Sequence, residues 1–270
     1  MHSPTLDPAR KTVWITGASG GIGASLARAF ADVGANVVLS ARSESKLTAL
    51  QNTLLQQHPE QHFTVVPLDM TQPETFADAV AQVEAACGAL HVLVHNAGIS
   101  QRTPMLQTSS ADERRVMETN FFGATHLTRA AADALQRTPG PKQLVVISSV
   151  AGLVGTPLRT AYSASKFALN GWFEAAEVEL HDLDIGVTMV FPGFVRTDIA
   201  KNAVGGGDGD ADIAAGLDPD VVARRIVHGV AARKRRITIA GKEGLAPWLR
   251  MVAPGMLLRT LLKRFRESQA

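Results

Sequence analysis

The stretch Thr16-Gly17-Ala18-Ser19-Gly20-Gly21-Ile22-Gly23 decides the fold. It follows the apolar run Thr12-Val13-Trp14-Ile15, which predicts a buried strand, and leads into a segment with helical apolar spacing. Glycines permit a tight turn and let an anion approach the N-terminus of the helix, where free N–H groups and the helix dipole attract it. The pattern predicts a pyrophosphate-binding loop, with a purely structural turn as the alternative. The expected contacts are Gly17, Ser19, Gly21, Ile22 and Gly23.

The rest of the chain alternates between short apolar runs and longer helical patterns. Strands are expected at 12–15, 36–41, 63–67, 90–95, 143–148, 186–191 and 237–240, and helices at 21–33, 44–57, 73–86, 111–117, 120–136, 162–183 and 219–234. This alternation predicts an α/β fold with βαβ units and a parallel sheet, and continuously apolar strands are typical of sheets covered on both faces. We expect a polar tail over residues 1–10, a single domain over 11–243 and an extension over 244–270.

Composition restricts the possible classes of function. With 46% apolar and 19% charged residues among 270, the chain is expected to be globular, and a net charge of +2 does not indicate a nucleic-acid partner. The single cysteine, Cys87, excludes an intramolecular disulfide and fits a reducing compartment. No apolar run reaches the roughly 20 residues that span a bilayer, and the N-terminus lacks the apolar core of a signal peptide. We expect a cytoplasmic protein without a metal site.

The end of the second predicted strand bears on nucleotide specificity. A carboxylate at this place would bind the ribose diol of NAD, whereas this chain has Ser40-Ala41-Arg42. An arginine pairs with the 2′-phosphate of NADP, which a carboxylate would repel. The sequence therefore favours NADP(H), with NAD(H) possible and a surface arginine at the start of the next helix as the alternative.

A second group of polar residues lies near the start of the long helix and at other strand ends. Tyr162 and Lys166 share one helix face at i and i+4, and a nearby cation favours the phenolate of a tyrosine whose ordinary pKa is about 10. Tyr-x-x-x-Lys alone is weak evidence. It is joined here by Ser149, Asn120, the turn Asn96-Ala97-Gly98 and the turn Pro192-Gly193-Phe194-Val195-Arg196-Thr197. Open α/β sheets bind ligands at the carboxyl ends of their strands.

Taken together, these motifs resemble the single-domain branch of the short-chain dehydrogenase/reductase family, from about Lys11 to Ala240. The resemblance implies a Rossmann-like, doubly wound, seven-stranded parallel sheet and a tetrad of Asn120, Ser149, Tyr162 and Lys166. Tyr162 would exchange a proton with the substrate and Ser149 would hydrogen-bond the substrate oxygen. Lys166 would lower the pKa of Tyr162 and hold the nicotinamide ribose, and Asn120 would position a water beside Lys166.

The resemblance also implies cofactor contacts. Asp69 would lie near the adenine, Asn96 beside the adenosine ribose, and Val195 and Thr197 at the nicotinamide amide. The complete set adds Ser40, Arg42, Ala97, Gly98, Tyr162, Lys166, Pro192 and Gly193. Two positions depart from the family pattern. Gly20 stands where many NADP-preferring relatives carry a basic residue, and His95 stands where asparagine is commoner; we interpret His95 as a strand-end residue rather than a catalytic base.

The predicted function is an NADP(H)-dependent oxidoreductase that transfers a hydride between nicotinamide and a carbonyl or secondary alcohol of an apolar small molecule. The alternatives are an NAD-dependent alcohol dehydrogenase and a catalytically silent, nucleotide-binding regulatory protein. An isomerase of the extended branch would need a larger C-terminal region. We expect a homodimer or homotetramer. Substrate contacts are expected from 153–159, Phe194 and 201–217, where the loop 205–212 forms either a lid or an ordinary solvated loop.

The extension over 244–270 has the pattern of basic amphipathic helices. A helical wheel places Leu257, Leu258, Leu261, Leu262 and Phe265 on one face, and it places Arg259, Lys263, Arg264 and Arg266 on the other. Pro254 should divide the segment into two helices. Most amphipathic helices cover a core, which favours packing on its own domain or on a second subunit; the alternative is that the helix lies on an anionic membrane surface.

Overall fold

The computed structural model describes residues 5–201, 203–205 and 211–267. Within them, one parallel sheet has the strand order β3-β2-β1-β4-β5-β6-β7, which confirms the predicted doubly wound, seven-stranded architecture. The strands are β1 (Thr12–Thr16), β2 (Asn36–Ser40), β3 (Phe63–Val65), β4 (Val92–His95), β5 (Lys142–Ile147), β6 (Ile185–Pro192) and β7 (Arg236–Ile239).

Helices cover both faces of this sheet. They are α1 (Gly21–Asp32), α2 (Glu44–Gln57), α3 (Phe76–Cys87), α4 (Ser110–Met117), α5 (Gly123–Ala130), α6 (Ala132–Arg137), α7 (Thr160–Glu179), α8 (Ala211–Ala214), α9 (Pro219–Ala231), α10 (Ala246–Val252) and α11 (Pro254–Glu267). Strand β1 shows why two layers form. Val13 and Ile15 join one buried cluster with α1 and α9, while Trp14 joins the opposite cluster with α3, α5 and α7, because successive strand side chains point to opposite faces.

The bounds of two helices differ from the predictions. At these places the apolar spacing continues along the chain although the type of helix changes. The helix expected over 120–136 is a π-helical turn, Glu118–Phe122, followed by α5 and α6. The helix expected over 162–183 ends at Glu179 and is followed by the 3₁₀ turn His181–Leu183. Apolar periodicity does not distinguish these turns from an α-helix, since all keep similar residues facing the core.

The C-terminal extension forms two helices, and Pro254 is the first residue of the second, as predicted. Among the described residues, no helix is both long and apolar enough to cross a membrane. The glycine-rich loop expected over 205–212 falls largely on residues 206–210, which lie outside the described part of the chain.

Candidate active site

A single cleft of about 1380 Å³ follows the carboxyl ends of the strands and collects nearly all of the predicted site residues. The glycine loop and the end of β2 line one end of it. Ser149, Tyr162 and the C-terminal helices line the other. Of the predicted site residues, Gly23 and Asn120 do not line the cleft. Nucleotide and proton-transfer candidates therefore share one continuous space.

The glycine loop fits a pyrophosphate because its backbone adopts conformations that residues with a side chain rarely adopt. Gly17 and Gly21 have φ angles of +67° and +52°, in the left-handed region that favours glycine. The N-terminus of α1 follows directly and opens toward the cleft, so its N–H groups and dipole are available to an anion. Gly23 supports the loop from behind, since a Cβ there would collide with the carbonyl oxygen of Gly17.

This geometry predicts the effect of two alanine substitutions one turn apart. Gly23→Ala should displace the loop and weaken nucleotide binding about 5- to 150-fold, the equivalent of the roughly 1–3 kcal/mol that overpacking costs. Gly20→Ala is the matched control, because a Cβ at Gly20 meets no atom within 4 Å. NADPH affinity is measured by fluorescence titration. Equal affinities for the two variants would contradict this role of Gly23.

Asn96 fastens the glycine loop to β4. Its side-chain nitrogen donates to the carbonyl oxygens of Thr16 and Gly17, at 3.0 and 3.1 Å. The Thr16 hydroxyl in turn accepts the backbone N–H groups of Asn96 and Ala97, both at 3.1 Å. Both amide hydrogens of Asn96 are therefore used within the protein. This side chain thus holds the loop in place. Asn96 also lines the cleft, so its contact with the adenosine ribose stays a prediction.

Residues at and after the end of β2 make contacts that the sequence did not predict. The Ser40 side chain is fully buried, donates to the carbonyl oxygen of Val66 at 2.6 Å and accepts from Trp14 Nε1 at 2.8 Å. Its hydroxyl is therefore used within the protein. Ser40 also lines the cleft, so its contact with the cofactor stays a prediction. Arg42 lines the cleft as predicted, and so does Lys46 in the first turn of α2, which sequence reasoning missed. A second cation four residues after Arg42 was the available signal.

The proton-transfer candidates lie in buried positions around the start of α7. Lys166 Nζ donates to the carbonyl oxygen of Ile147 at 2.8 Å and lies 5.8 Å from the centre of the Tyr162 ring. The Ser149 hydroxyl accepts the backbone N–H of Ala151 at 3.1 Å, which caps the short turn after β5. The chain thus places a phenol, a hydroxyl and an amine at one end of the cleft.

Burial dominates the protonation of this group. It raises the pKa of Tyr162, while the neighbouring guanidinium of Arg159 and a hydrogen bond with Ser149 oppose that rise. Burial also lowers the pKa of Lys166 to about 8. The prediction that Lys166 brings the pKa of Tyr162 below its ordinary value is therefore wrong for the protein without a bound nucleotide. Its phenol is protonated at neutral pH, the form that donates a proton.

Asn120 holds two elements together from within the π-helical turn. Its Oδ1 accepts the Ile99 N–H at 2.8 Å, and its Nδ2 donates to the Ile99 carbonyl and to Ser165 Oγ, both at 3.0 Å. Both amide hydrogens are used and the residue is buried away from the cleft. The side chain therefore positions α7, and a water beside Lys166 would have to be held by the main chain of Asn120.

The comparisons with known proteins identify the family. The model of the short chain dehydrogenase family matches residues 11–206. The chain belongs to the short-chain dehydrogenase/reductase family. It is 35% identical over 272 residues to Dehydrogenase/reductase SDR family member 7B of Bos taurus, covering 95% of this chain and 82% of that relative.

Solved structures of this family share the fold. A short-chain dehydrogenase/reductase from Burkholderia phymatum in complex with NAD has a TM-score of 0.82 at 24% identity, covering 94% of this chain and 96% of its own. An alcohol dehydrogenase from Thermococcus sibiricus complexed with 5-hydroxy-NADP has a TM-score of 0.75 at 25% identity, with coverages of 86% and 95%. This chain thus has the same architecture as these two proteins.

One further polar residue supports the site of this short-chain dehydrogenase/reductase without lining the cleft. Asn170, one turn after Lys166, accepts from Ser148 Oγ at 2.7 Å and donates to the Gly152 carbonyl at 2.8 Å. It ties the turn that carries Ser149 to the helix that carries Lys166. A polar residue at i+4 from Lys166, on the same face of α7, was the available sequence signal.

His95 lies at the end of β4, outside the cleft. It is 4% exposed, its Nε2 shares a hydrogen bond with Thr128 at 2.8 Å, and its Nδ1 has no partner. Burial lowers its pKa to about 3, so the ring is neutral at physiological pH. These contacts support the interpretation of His95 as a strand-end residue in this family member.

The two C-terminal helices correct the helical-wheel prediction. Leu257 and Leu261 face the cleft, whereas Leu258 and Leu262 are 58% and 43% exposed, so the predicted single apolar face is divided between two surfaces. Arg264, predicted to lie on the polar face, lines the cleft. The wheel placed five apolar residues within one broad arc. A helix at the surface of a domain can bury only part of such an arc.

Proposed function

We propose that this protein is an NADP(H)-dependent oxidoreductase that transfers a hydride between nicotinamide and a carbonyl or secondary alcohol of an apolar small molecule. One observation carries the proposal: a single cleft joins the glycine loop and the cations Arg42 and Lys46 to the Ser149–Tyr162 pair. A nucleotide with its phosphates at the glycine loop would extend along this cleft toward the phenol. The family membership supports the same reaction class.

The bound nicotinamide supplies or accepts the hydride, and the chain's own residues handle the proton. Ser149 orients the substrate oxygen through its hydroxyl. Tyr162 donates a proton to that oxygen during reduction and removes it during oxidation. Positioned general acid–base catalysis of this kind contributes roughly 10²–10⁴ in rate. Burial of Tyr162 excludes water from the transfer, and the Lys166 amine lies close enough to influence the phenol when a nucleotide fills the cleft.

The preference for NADP(H) rests on charge at the end of β2. Arg42 and Lys46 both line the cleft there, and the sequence Ser40-Ala41-Arg42 contains no carboxylate to bind a ribose diol. Lys46 supplies the second cation that is absent at Gly20. One of the structural neighbours was solved with NAD and another with 5-hydroxy-NADP, so the fold itself accommodates either nucleotide.

We expect the native protein to bind NADPH more tightly than NADH, and Arg42→Ala to lose most of this difference. A charge-assisted hydrogen bond contributes roughly 1.5–3 kcal/mol, or about 10- to 150-fold in affinity. Lys46→Ala should cause a smaller loss, and neither substitution should change NADH affinity by more than about threefold, since NADH lacks the 2′-phosphate. Fluorescence titration with both nucleotides measures this. Equal affinity of the native protein for NADPH and NADH would contradict the proposal.

Turnover distinguishes an enzyme from a silent nucleotide-binding protein. Incubation with NADPH and a panel of apolar ketones and aldehydes should give oxidation of NADPH that depends on the carbonyl. Tight NADPH binding without turnover of any carbonyl, and without oxidation of the corresponding alcohols with NADP⁺, would favour the regulatory alternative.

A further inference from the structure

The two C-terminal helices expose an unusual concentration of large apolar side chains. Among the described residues, fifteen such side chains are exposed, and eight of them fall within residues 245–265. Trp248 and Met251 are 61% and 84% exposed. We call this set the outer face; its members are Leu245, Trp248, Met251, Val252, Met256, Leu258, Leu262 and Phe265. Soluble proteins rarely expose apolar side chains in such a group unless the group binds something.

The opposite side of the same two helices lines the cleft. Leu249 of α10 and Leu257 and Leu261 of α11 line it. Arg250 holds α10 in place, because it donates to the Leu153 carbonyl at 2.7 Å and its guanidinium lies 5.2 Å from the centre of the Phe167 ring. The helix pair therefore forms a roof over the cleft, with the outer face on one side and Leu249, Leu257 and Leu261, together with Thr260 and Arg264, on the other.

Positive charge accompanies the outer face. Residues 244–267 contain five basic side chains against one acidic side chain, Glu267, whereas the whole chain has 27 basic and 25 acidic residues. Arg250 contacts Leu153 and Phe167, and Arg264 lines the cleft. The exposed cations beside the outer face are therefore Arg259, Lys263 and Arg266. Exposed apolar side chains, a tryptophan and an excess of Lys and Arg together match the chemistry of an anionic lipid surface.

We propose that the outer face docks on an anionic lipid bilayer, and that the helix pair admits an apolar carbonyl compound or alcohol from the bilayer into the cleft. The substrate class rests on the proposed function. A second copy of the chain fits this face less well. A symmetric dimer places the same patch opposite itself, so its positive charges would repel one another.

The position of α10 and α11 over the cleft connects docking on the bilayer with the choice of an apolar substrate. A compound that leaves the bilayer beneath α10 and α11 meets Leu249, Leu257 and Leu261 before it reaches Ser149 and Tyr162. Its apolar part remains against these leucines while its oxygen reaches the two hydroxyls. A long apolar substrate is thus kept out of water along the whole route, which avoids the free-energy cost of exposing it.

The docking test uses the full-length protein and vesicles of phosphatidylglycerol with phosphatidylcholine, compared with vesicles of phosphatidylcholine alone. The native protein should sediment with the anionic vesicles at low salt and at least tenfold less with the neutral ones. A triple variant, Trp248→Gln, Met251→Gln and Leu258→Gln, should lose this binding. The matched control replaces the exposed Met105, Leu106 and Val178 by Gln and should behave as the native protein.

Turnover tests the delivery of substrate. A long-chain ketone such as 2-dodecanone is supplied within the anionic vesicles, and 2-butanone is supplied in water. The outer-face variant should lose at least tenfold in turnover of the embedded ketone, relative to the control variant, and keep its turnover of 2-butanone. Near-ultraviolet circular dichroism confirms that each variant remains folded.

The outcomes separate docking from chemistry. Failure of the native protein to sediment with anionic vesicles overturns docking, whether or not it reduces ketones. Vesicle binding without turnover of the embedded ketone overturns the substrate class. Equal turnover of the embedded ketone by the outer-face and control variants overturns delivery through the roof. A self-association that the outer-face variant abolishes, without vesicle binding, assigns this face to a second copy.

Discussion

Tyr162→Phe is expected to fold, to bind NADPH as the native protein does, and to lose several orders of magnitude in turnover. The substitution keeps the aromatic ring in its buried position and removes the one proton that this side chain can transfer. General acid–base catalysis alone contributes roughly 10²–10⁴, and the lost hydrogen bond to the substrate oxygen adds to this. Steady-state kinetics with a ketone and NADPH measures the loss, and fluorescence titration of NADPH is the control for an intact nucleotide site.

The chain contains one tyrosine, which permits a direct observation of its ionisation. Any phenolate absorbance of the folded protein at 295 nm must come from Tyr162. Because burial raises the pKa of Tyr162, the midpoint in the nucleotide-free protein should lie above that of free tyrosine. Arg159→Ala should raise the midpoint further, since the Arg159 guanidinium favours the phenolate. A midpoint below that of free tyrosine would contradict the dominance of burial.

The rates of carbonyl reduction and alcohol oxidation should depend on the same ionisation of Tyr162. Carbonyl reduction needs the protonated phenol, so its rate should be constant near neutral pH and fall as the pH rises through the midpoint that applies with nucleotide bound. Alcohol oxidation needs the phenolate and should rise over the same range. Near-native turnover by Tyr162→Phe, or reduction that is unaffected at high pH, would show that another group transfers the proton.

The parts of the fold that sequence predicts are those encoded by local patterns. Apolar runs bounded by glycines, as in β1 and the loop after it, specify strands whose order then follows from βαβ connections. The sequence does not predict which partner a polar side-chain atom will hydrogen-bond. Asn96 and Ser40 line the cleft, whereas Asn120 does not. The hydrogen bonds of all three side chains go to backbone or buried side chains that only the packed structure brings near.

The C-terminal helices show a second limit of the sequence patterns. Helical spacing groups Leu257 with Leu258 and Leu261 with Leu262, but it does not show which member of each pair faces the domain. The position of α11 over the cleft determines which leucine of each pair faces the domain, and it also places Arg264 at the cleft. Lys46 was missed for a similar reason, because its nearness to the cleft depends on the angle at which α2 leaves β2.

His95 predicts a loss of stability in acid that a single substitution should reduce. Its pKa is about 3 in the folded protein and near 6.5 when the chain unfolds, so the unfolded chain binds more protons between these values. Neutral His95 makes its full contribution to the free energy of unfolding above pH 6.5, and this contribution falls as the pH decreases toward 3. At about 1.4 kcal/mol for each pH unit, the free energy of unfolding should drop by about 2–3 kcal/mol between pH 7 and pH 4.5 from this residue alone.

Urea unfolding of His95→Asn at pH 7 and pH 4.5 tests this, since asparagine has no proton to gain. The pH-dependent loss should be smaller than in the native protein by about 2–3 kcal/mol, whatever the variant's stability at pH 7. Part of the acid sensitivity should remain, because burial, together with Lys11 and Lys142, lowers the pKa of His91 to about 4. His62→Asn, at an exposed position, is the control and should leave the loss unchanged. An undiminished loss in His95→Asn would mean that His95 is protonated without unfolding, with its unpartnered Nδ1 reaching water.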